Sequence, residues 1–377
     1  MSARQARKVS ADIDRQLKEE RKREEECIRL LFLGTAESGK STCLKQMKLI
    51  HNGNIVDKDQ KGKVLESATA AVNGDTRLGA GMMDAQAWAG VLRTNLFDSL
   101  EKILGNVGRH STGFQSAAAS SAAETLLGIL GPLRDNVLAP PPDLVDLINT
   151  LLADPSVQTT IGNGAKYYLL DSAPRLLQDS ATILSPTFVP TNEHILLARL
   201  PTSTITETRL TIDGFRFKIY DVNGAHGKRQ AWMPFFDFCT AVIYVSAISQ
   251  FDQPLPEDPT ITRLHDSLMV FETVINHPLM AKPAFVLFLN KIDVLKQKLD
   301  RGIQVKSTFP DYTGSATQEY EEVCTYFARK FALAIEDKKR KVYIHFTWAT
   351  STSQIKTVLK IVQGVIIKLN LAKADLL

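Results

Sequence analysis

A chain of 377 residues, 44% of them apolar, has material for one large core or two moderate ones, and its 45 basic and 41 acidic side chains leave a net charge of only +4. So small a balance argues against nucleic acid as the main partner. Four scattered cysteines, Cys27, Cys43, Cys239 and Cys324, lack paired or metal-ligand spacing and read as reduced thiols of an intracellular protein; no apolar stretch reaches bilayer length, and the charged start does not resemble a signal peptide.

Residues 11–26 lack Gly and Pro and are rich in Lys, Arg and Glu, so a helix is expected there with Ser10 as its N-cap. Only Ile13 and Leu17 suggest an apolar stripe, which leaves that helix solvated or waiting for a partner. Position 2 is Ser2 rather than Gly, so the myristoylation pattern is absent, and membrane attachment is left to Arg4, Arg7 and Lys8 or to a partner. Residues 28–33 read as a buried strand and residues 42–51 as a helix. Between them lies Gly34-Thr35-Ala36-Glu37-Ser38-Gly39-Lys40-Ser41. Glycines let a backbone wrap a polyphosphate, and a helix N-terminus presents unpaired N–H groups to it. Lys40 would reach the β and γ phosphates, and the Ser41 hydroxyl would ligate Mg²⁺.

From about residue 56 to 194, Ala, Leu, Gly and Ser dominate and strand-like alternation disappears. Helices are expected at 85–104, 122–130 and 144–152, in an all-helical domain spanning 57–195 and inserted into an α/β domain formed by 28–56 and 196–377. The low-complexity run at 116–123 and the stiff triplet Pro140-Pro141-Pro142 read as surface excursions without chemistry. Beyond the insertion, strands at 208–212 and 215–222 flank Asp213-Gly214, a hairpin turn, with Phe215, Phe217 and Ile219 on one face. Apolar runs at 241–247, 284–289 and 342–346 alternate with helical stretches at 262–275 and 318–336, and a last helix covers about 354–371. This order predicts a mostly parallel sheet covered on both faces.

Asp221 ends one strand, Asn290-Lys291-Ile292-Asp293 another and Thr347-Trp348-Ala349-Thr350 a third. Ligands of open α/β sheets sit at the carboxyl ends of strands, where the phosphate loop is also placed. Asp221 suits the carboxylate beside the Mg²⁺ of a phosphate-loop enzyme. Asp293 can accept from the N1–H and exocyclic amine of guanine, a pair of donors that adenine does not offer because its N1 is an acceptor. The expected ligand is therefore a guanine nucleotide.

Lys40, Gln46-Met47-Lys48, Ile50-His51, Ala198-Arg199, Asp221-Val222, Phe288-Leu289-Asn290-Lys291, His345-Phe346-Thr347, Ile366-Ile367 and Asn370-Leu371 together resemble the α subunit of a heterotrimeric G protein over nearly the whole chain. The helical insertion matches less well, although Asp171-Ser172-Ala173 is similar to the segment that reaches the nucleotide across the domain cleft. The resemblance implies a P-loop, Ras-like GTPase domain with an inserted helical domain and an N-terminal helix at 1–27. It implies GTP or GDP with Mg²⁺, held by Glu37, Ser38, Gly39, Lys40, Ser41, Thr42, Asp171, Ser172, Leu196, Arg199, Thr202, Asp221, Gly224, Asn290, Lys291, Asp293 and Ala349. Ser41, Thr202 and Asp221 would serve the metal, and Arg199 and Lys40 the chemistry. Implied partners are a βγ dimer on the N-terminal helix and one switch face, a seven-helix membrane receptor at the C-terminal helix and a downstream effector. The implied location is cytoplasmic, at the inner face of the plasma membrane through those partners.

Departures from the family pattern narrow the expectation. Where the family reads Asp-Val-Gly-Gly-Gln-Arg, this chain reads Asp221-Val222-Asn223-Gly224-Ala225-His226, and alanine cannot hydrogen-bond a water through its side chain. Ala36 replaces a glycine beside the γ phosphate, Asn223 replaces another, and Trp348 stands where a small cysteine would lie next to the guanine, to stack on the base or to crowd it. Ala374 occupies the position where some relatives carry a modifiable cysteine, so ADP-ribosylation is not expected there. Slow GTP turnover follows as an expectation, with His226 as the alternative water-positioning group. A nucleotide-locked interaction protein that never cycles is the second reading.

Overall fold

The computed structural model describes residues 14–16, 18, 27–53, 55, 83–135, 140–201, 205–212, 214–315, 317–348 and 350–373. Six strands form one sheet in the order β2-β3-β1-β4-β5-β6: β1 (Ile28–Leu33), β2 (Thr206–Ile212), β3 (Phe215–Asp221), β4 (Ala241–Ala247), β5 (Ala284–Asn290) and β6 (Val342–Thr347). The near-continuous apolar runs β4 and β5 are buried along their whole length, as parallel strands covered on both faces must be. The edge strand β2 instead alternates covered and exposed residues and pairs antiparallel with β3, Ile212 facing Phe215 across a turn that contains Gly214 at φ +82°. Left-handed backbone of that kind favours glycine. Asp213 lies outside the described residues, as do most of residues 1–26 and Ala374.

The parallel register decides where chemistry can gather. Phe32 lies opposite Asp221, and Asn290 opposite both Ala247 and Thr347, so the carboxyl ends of β1, β3, β5 and β6 open along one edge. On one face, Cys43, Leu44 and Met47 of helix α1 (Lys40–Asn52), with Ile355, Leu359 and Val362 of the C-terminal helix, pack on Leu30, Phe32, Ile243 and Val286. Phe271, Phe327 and Phe331 cover Leu31, Tyr244 and Phe285 on the other. A separate core, built mainly from helices and with no strand among its described residues, runs from Ile55 to Ala198 around Trp88.

That helical core holds α2 (Ala85–Leu104), α3 (Ala117–Arg134), α4 (Leu144–Leu152), α5 (Pro155–Gly162), α6 (Ala173–Gln178) and α7 (Asn192–Leu197). The low-complexity run at 116–123 is not a surface excursion. Ser116 caps α3 by accepting from Ala119 N at 3.0 Å, and Ala119, Ala122 and Ala123 are buried. Alanine has the highest helix propensity and its small side chain lets neighbouring helices approach, so a run without apolar bulk still builds core. The proline triplet is loop and turn, as expected. Beyond β4 the chain continues through α8 (Arg263–Ile275), α9 (Ile292–Asp300), α10 (Tyr320–Leu333) and α11 (Thr352–Lys373). No described helix is long and apolar enough to cross a membrane.

Candidate functional site

The loop after β1 is shaped by three left-handed residues, Gly34 at φ +137°, Glu37 at φ +59° and Gly39 at φ +104°. A Cβ on Gly34 would lie 2.1 Å from the Val245 carbonyl oxygen, so that position admits only glycine. Ala36 is not in the left-handed region, which is why the backbone tolerates its Cβ there. Helix α1 starts at Lys40 with no side-chain hydrogen bond at its N-cap, Gly39, and no acidic residue in its first turn. Its first N–H groups remain open to an anion.

Lys40 is buried and its Nζ donates to the Gly34 and Thr35 carbonyls, both at 2.8 Å. Burial draws its pKa down to about 8, against the pull of the Asp221 carboxylate. Ser41 Oγ donates to Asp221 Oδ2 at 2.9 Å. Asp221 is buried as well, which raises its pKa against the stabilising effects of Lys40 and the Ser41 hydrogen bond. Its other oxygen, Oδ1, has no hydrogen-bond partner among the described residues. A buried carboxylate oxygen left open beside a hydroxyl is a hard-oxygen pair that suits Mg²⁺ or the water bound to it.

Asn290, fully buried, fastens the far end of the site: Nδ2 donates to Ser38 O at 2.8 Å and Oδ1 accepts from Thr347 Oγ1 at 3.0 Å. Lys291, at φ +60°, reaches across to Asp171 of the helical core, with Nζ to Oδ2 at 2.6 Å. Burial alone would raise the pKa of Asp171, but the Lys291 ammonium holds it below the usual carboxylate range. Asp293 stands in the first turn of α9, its pKa raised by burial against hydrogen bonds from backbone N–H groups.

Arg199 is placed by a residue 104 positions away. Its N–H donates to Asn95 Oδ1 at 2.6 Å and its carbonyl accepts from Asn95 Nδ2 at 3.1 Å, so helix α2 clamps the backbone that carries the guanidinium. The side chain pairs with Glu37 at 2.8 Å, and Glu37 also pairs with Arg263 at 3.0 Å. Burial opposes the charge on Glu37, yet Arg263 and Arg199 hold its pKa below the ordinary value of 4.5. A depressed carboxylate pKa contributes stability that is complete above the unfolded value and lost as pH falls through the folded one. The stability gap between the native chain and Glu37→Gln, followed by denaturant titration, should therefore hold constant above about pH 4.5 and close below it.

After β3, Gly224 packs against the phosphate loop so closely that a Cβ would meet Gly34 O at 2.5 Å and Lys40 Nζ at 2.6 Å. Asn223 Oδ1 accepts from Ala225 N at 2.8 Å, and Asn223 O from Trp232 Nε1 at 2.9 Å. Further on, Arg229 Nη1 donates to Asp266 Oδ1 of α8 at 2.9 Å. The side chain of His226 lies outside what is described.

One cavity of about 400 Å³ joins these parts, a size suited to a small ligand. Of the predicted residues, Glu37, Ser38, Gly39, Lys40, Ser41, Thr42, Asp171, Ser172, Leu196, Arg199, Gly224, Asn290, Lys291 and Asp293 line it. Asp221 stands behind Ser41, and Thr202 and Ala349 lie outside the described residues. Asn95, Arg263 and Gln46 also shape the site and were not foreseen. Gln46 Nε2 donates to Thr350 O and its Oε1 accepts from Thr352 Oγ1, both at 2.9 Å, tying α1 to the loop after β6. No local pattern marks such residues, because each acts through a partner distant in sequence.

The family model described as "G-protein alpha subunit" matches residues 7–366. The chain is 33% identical to the guanine nucleotide-binding protein alpha-1 subunit of Mycosarcoma maydis, over 97% of this chain and 95% of that protein. It is 31% identical to a guanine nucleotide-binding protein subunit alpha of Coprinellus congregatus, over 99% and 97% respectively, and 31% identical to the alpha-1 subunit of Neurospora crassa, over 97% and 95%. With the mostly parallel sheet, the glycine-shaped loop after β1 and the polar strand tips already in view, this similarity over nearly the whole chain means that the chain belongs to the G-protein alpha-subunit family.

Proposed function

We propose that this alpha subunit is a GTP/GDP switch that carries Mg²⁺ and hydrolyses GTP unusually slowly. The observation that carries the reading is the meeting of the open N-terminus of α1, Lys40, Arg199, Gly224 and Asp293 on one cavity. The phosphates belong over Gly39, Lys40, Ser41 and Thr42, where N–H groups and a buried ammonium cluster. Asp293 recognises the base and Lys291, Asp171 and Ser172 close the cleft around it, with Leu196 alongside. Ser41 and Asp221 would hold Mg²⁺, together with Thr202 by resemblance to the family. Mg²⁺ held there would neutralise negative charge on the phosphates.

Arg199 leaves Glu37 to stabilise the transferring phosphoryl, while the Gly224 N–H meets the γ phosphate. Ala225 provides no side-chain donor or acceptor to orient water. An arginine supplied in cis supports a rate of about 10⁻² s⁻¹, and loss of one positioned group costs on the order of 10² to 10³. Turnover well below the family rate is the consequence. The α/β domain comprises 28–56 and 196–377, and the helical domain 57–195; a core of its own from Ile55 to Ala198, apart from the two cores on the faces of the sheet, supports this division to within a few residues at each boundary. A βγ dimer binds residues 1–27 and the face around 199–205 and 223–232, a seven-helix receptor engages α11, and an effector reads the switch. These partners hold the protein at the inner face of the plasma membrane.

The second reading, a nucleotide-locked interaction protein, draws on the Asn223 hydrogen bonds that already order the segment after β3. One filter-binding series with labelled GDP, GTP and ATP, followed by single-turnover hydrolysis, tests the proposal. Retention of guanine nucleotides alone at micromolar concentration, with GTP outliving the family turnover time, is expected. Preference for ATP, or hydrolysis at the family rate, would contradict it. Protease protection around Trp232 that is identical with GDP and a non-hydrolysable GTP analogue would leave only the second reading.

A further inference from the structure

We infer that Trp348 forms an aromatic wall at the base end of the cavity and prolongs the residence of the bound guanine nucleotide; this rests on the guanine reading of that end. Trp348 lines the cavity together with Lys291 and Asp293. It is 42% exposed, whereas the other two tryptophans are buried, Trp88 at 0% and Trp232 at 2%. A large apolar ring left open to water beside a base-recognising carboxylate gains free energy when a flat ligand covers it.

The ring is carried on an anchored backbone. Trp348 N–H donates to Gln354 Oε1 in the first turn of α11, and its carbonyl accepts from Ser351 N, both at 2.9 Å. The preceding residue is tied to β5 by the bond from Thr347 Oγ1 to Asn290 Oδ1, and Thr350 O is tied to α1 by Gln46. The loop is thus held by the same elements that bear the phosphate loop and Asp293. An aromatic surface whose backbone is fixed before the ligand arrives loses little entropy on binding. Stacking accepts any base because every base has a π-face, so Trp348 lengthens residence while Asp293 supplies the selection for guanine.

The test compares the full chain with Trp348→Ala and Trp348→Phe, each loaded with labelled GDP and chased with excess unlabelled GDP. Release from Trp348→Ala is expected to be about five- to hundredfold faster, the range that base–aromatic stacking supports, with Trp348→Phe within a few-fold of native. GDP binding should also change the tryptophan fluorescence of the native chain, and the change should be smaller in Trp348→Phe, which keeps only the contributions of Trp88 and Trp232. Unchanged release from Trp348→Ala means that the ring is idle, and slower release means that it crowds the base; either overturns the inference while leaving guanine nucleotide binding intact. A native chain that retains no guanine nucleotide would overturn both. Thermal melts of both variants guard against misfolding, and the Phe variant keeps the question answerable if the Ala variant is unstable.

Discussion

Ala225→Gln is expected to raise single-turnover GTP hydrolysis by about 10² to 10³, the usual worth of one positioned catalytic group. Ala225 lines the cavity beside Gly224, at φ −64° and ψ 142°, a backbone conformation that glutamine adopts without strain. Its N–H is already held by Asn223, so the substitution adds a water-orienting side chain to a segment that needs no rebuilding. The gain should depend on Arg199: removing that guanidinium from the Ala225→Gln background is expected to lower the rate again by roughly 10³. Quench-flow or slow-mixing phosphate release reads both steps. An Ala225→Gln rate equal to native would mean either that Ala36 limits the reaction or that His226 already orients the water.

Gly224→Ala should separate GTP from GDP. The added Cβ would fall 2.5 Å from Gly34 O, 2.6 Å from Lys40 Nζ and 2.6 Å from the Thr35 carbonyl carbon, all closer than real Cβ contacts allow. The phosphate loop is poorly placed to yield, because Gly34 is itself closely packed against the Val245 carbonyl. The segment around 224 must withdraw, and its N–H then fails to reach a γ phosphate. Loss of a hydrogen bond to an anion on this scale corresponds to roughly a hundredfold in affinity for a GTP analogue, with GDP affinity changed only a few-fold. Equilibrium competition between the two nucleotides measures the ratio, and an unchanged ratio would show that Gly224 does not serve the γ phosphate.

The strands, the phosphate loop and the Asn290-to-Asp293 tip were legible because each is a local pattern: an apolar run, a glycine spacing, or polar residues directly after a strand. The helical part was legible only in outline. Its α3 extends from Ala117 to Arg134, beyond the expected 122–130, since a run of Ala and Ser looks featureless until neighbouring helices bury it. The clamp of Asn95 on Arg199, the second arginine on Glu37 and the Gln46 tie to Thr350 had no signature, because their partners lie 104, 226 and 304 positions apart.

By itself, then, the sequence determined which segments become strands and phosphate loop and which residue types are available for a guanine nucleotide, since those depend on short-range periodicity and backbone preference. The folded chain alone decided how those residues are held: Arg199 drawn onto Glu37, Asp221 left with one oxygen unpartnered among the described residues, Gly224 pressed on Lys40, and Trp348 on the cavity wall with Lys291 and Asp293. Those outcomes depend on burial and on contacts between residues far apart along the chain, which parallel register and helix packing bring together.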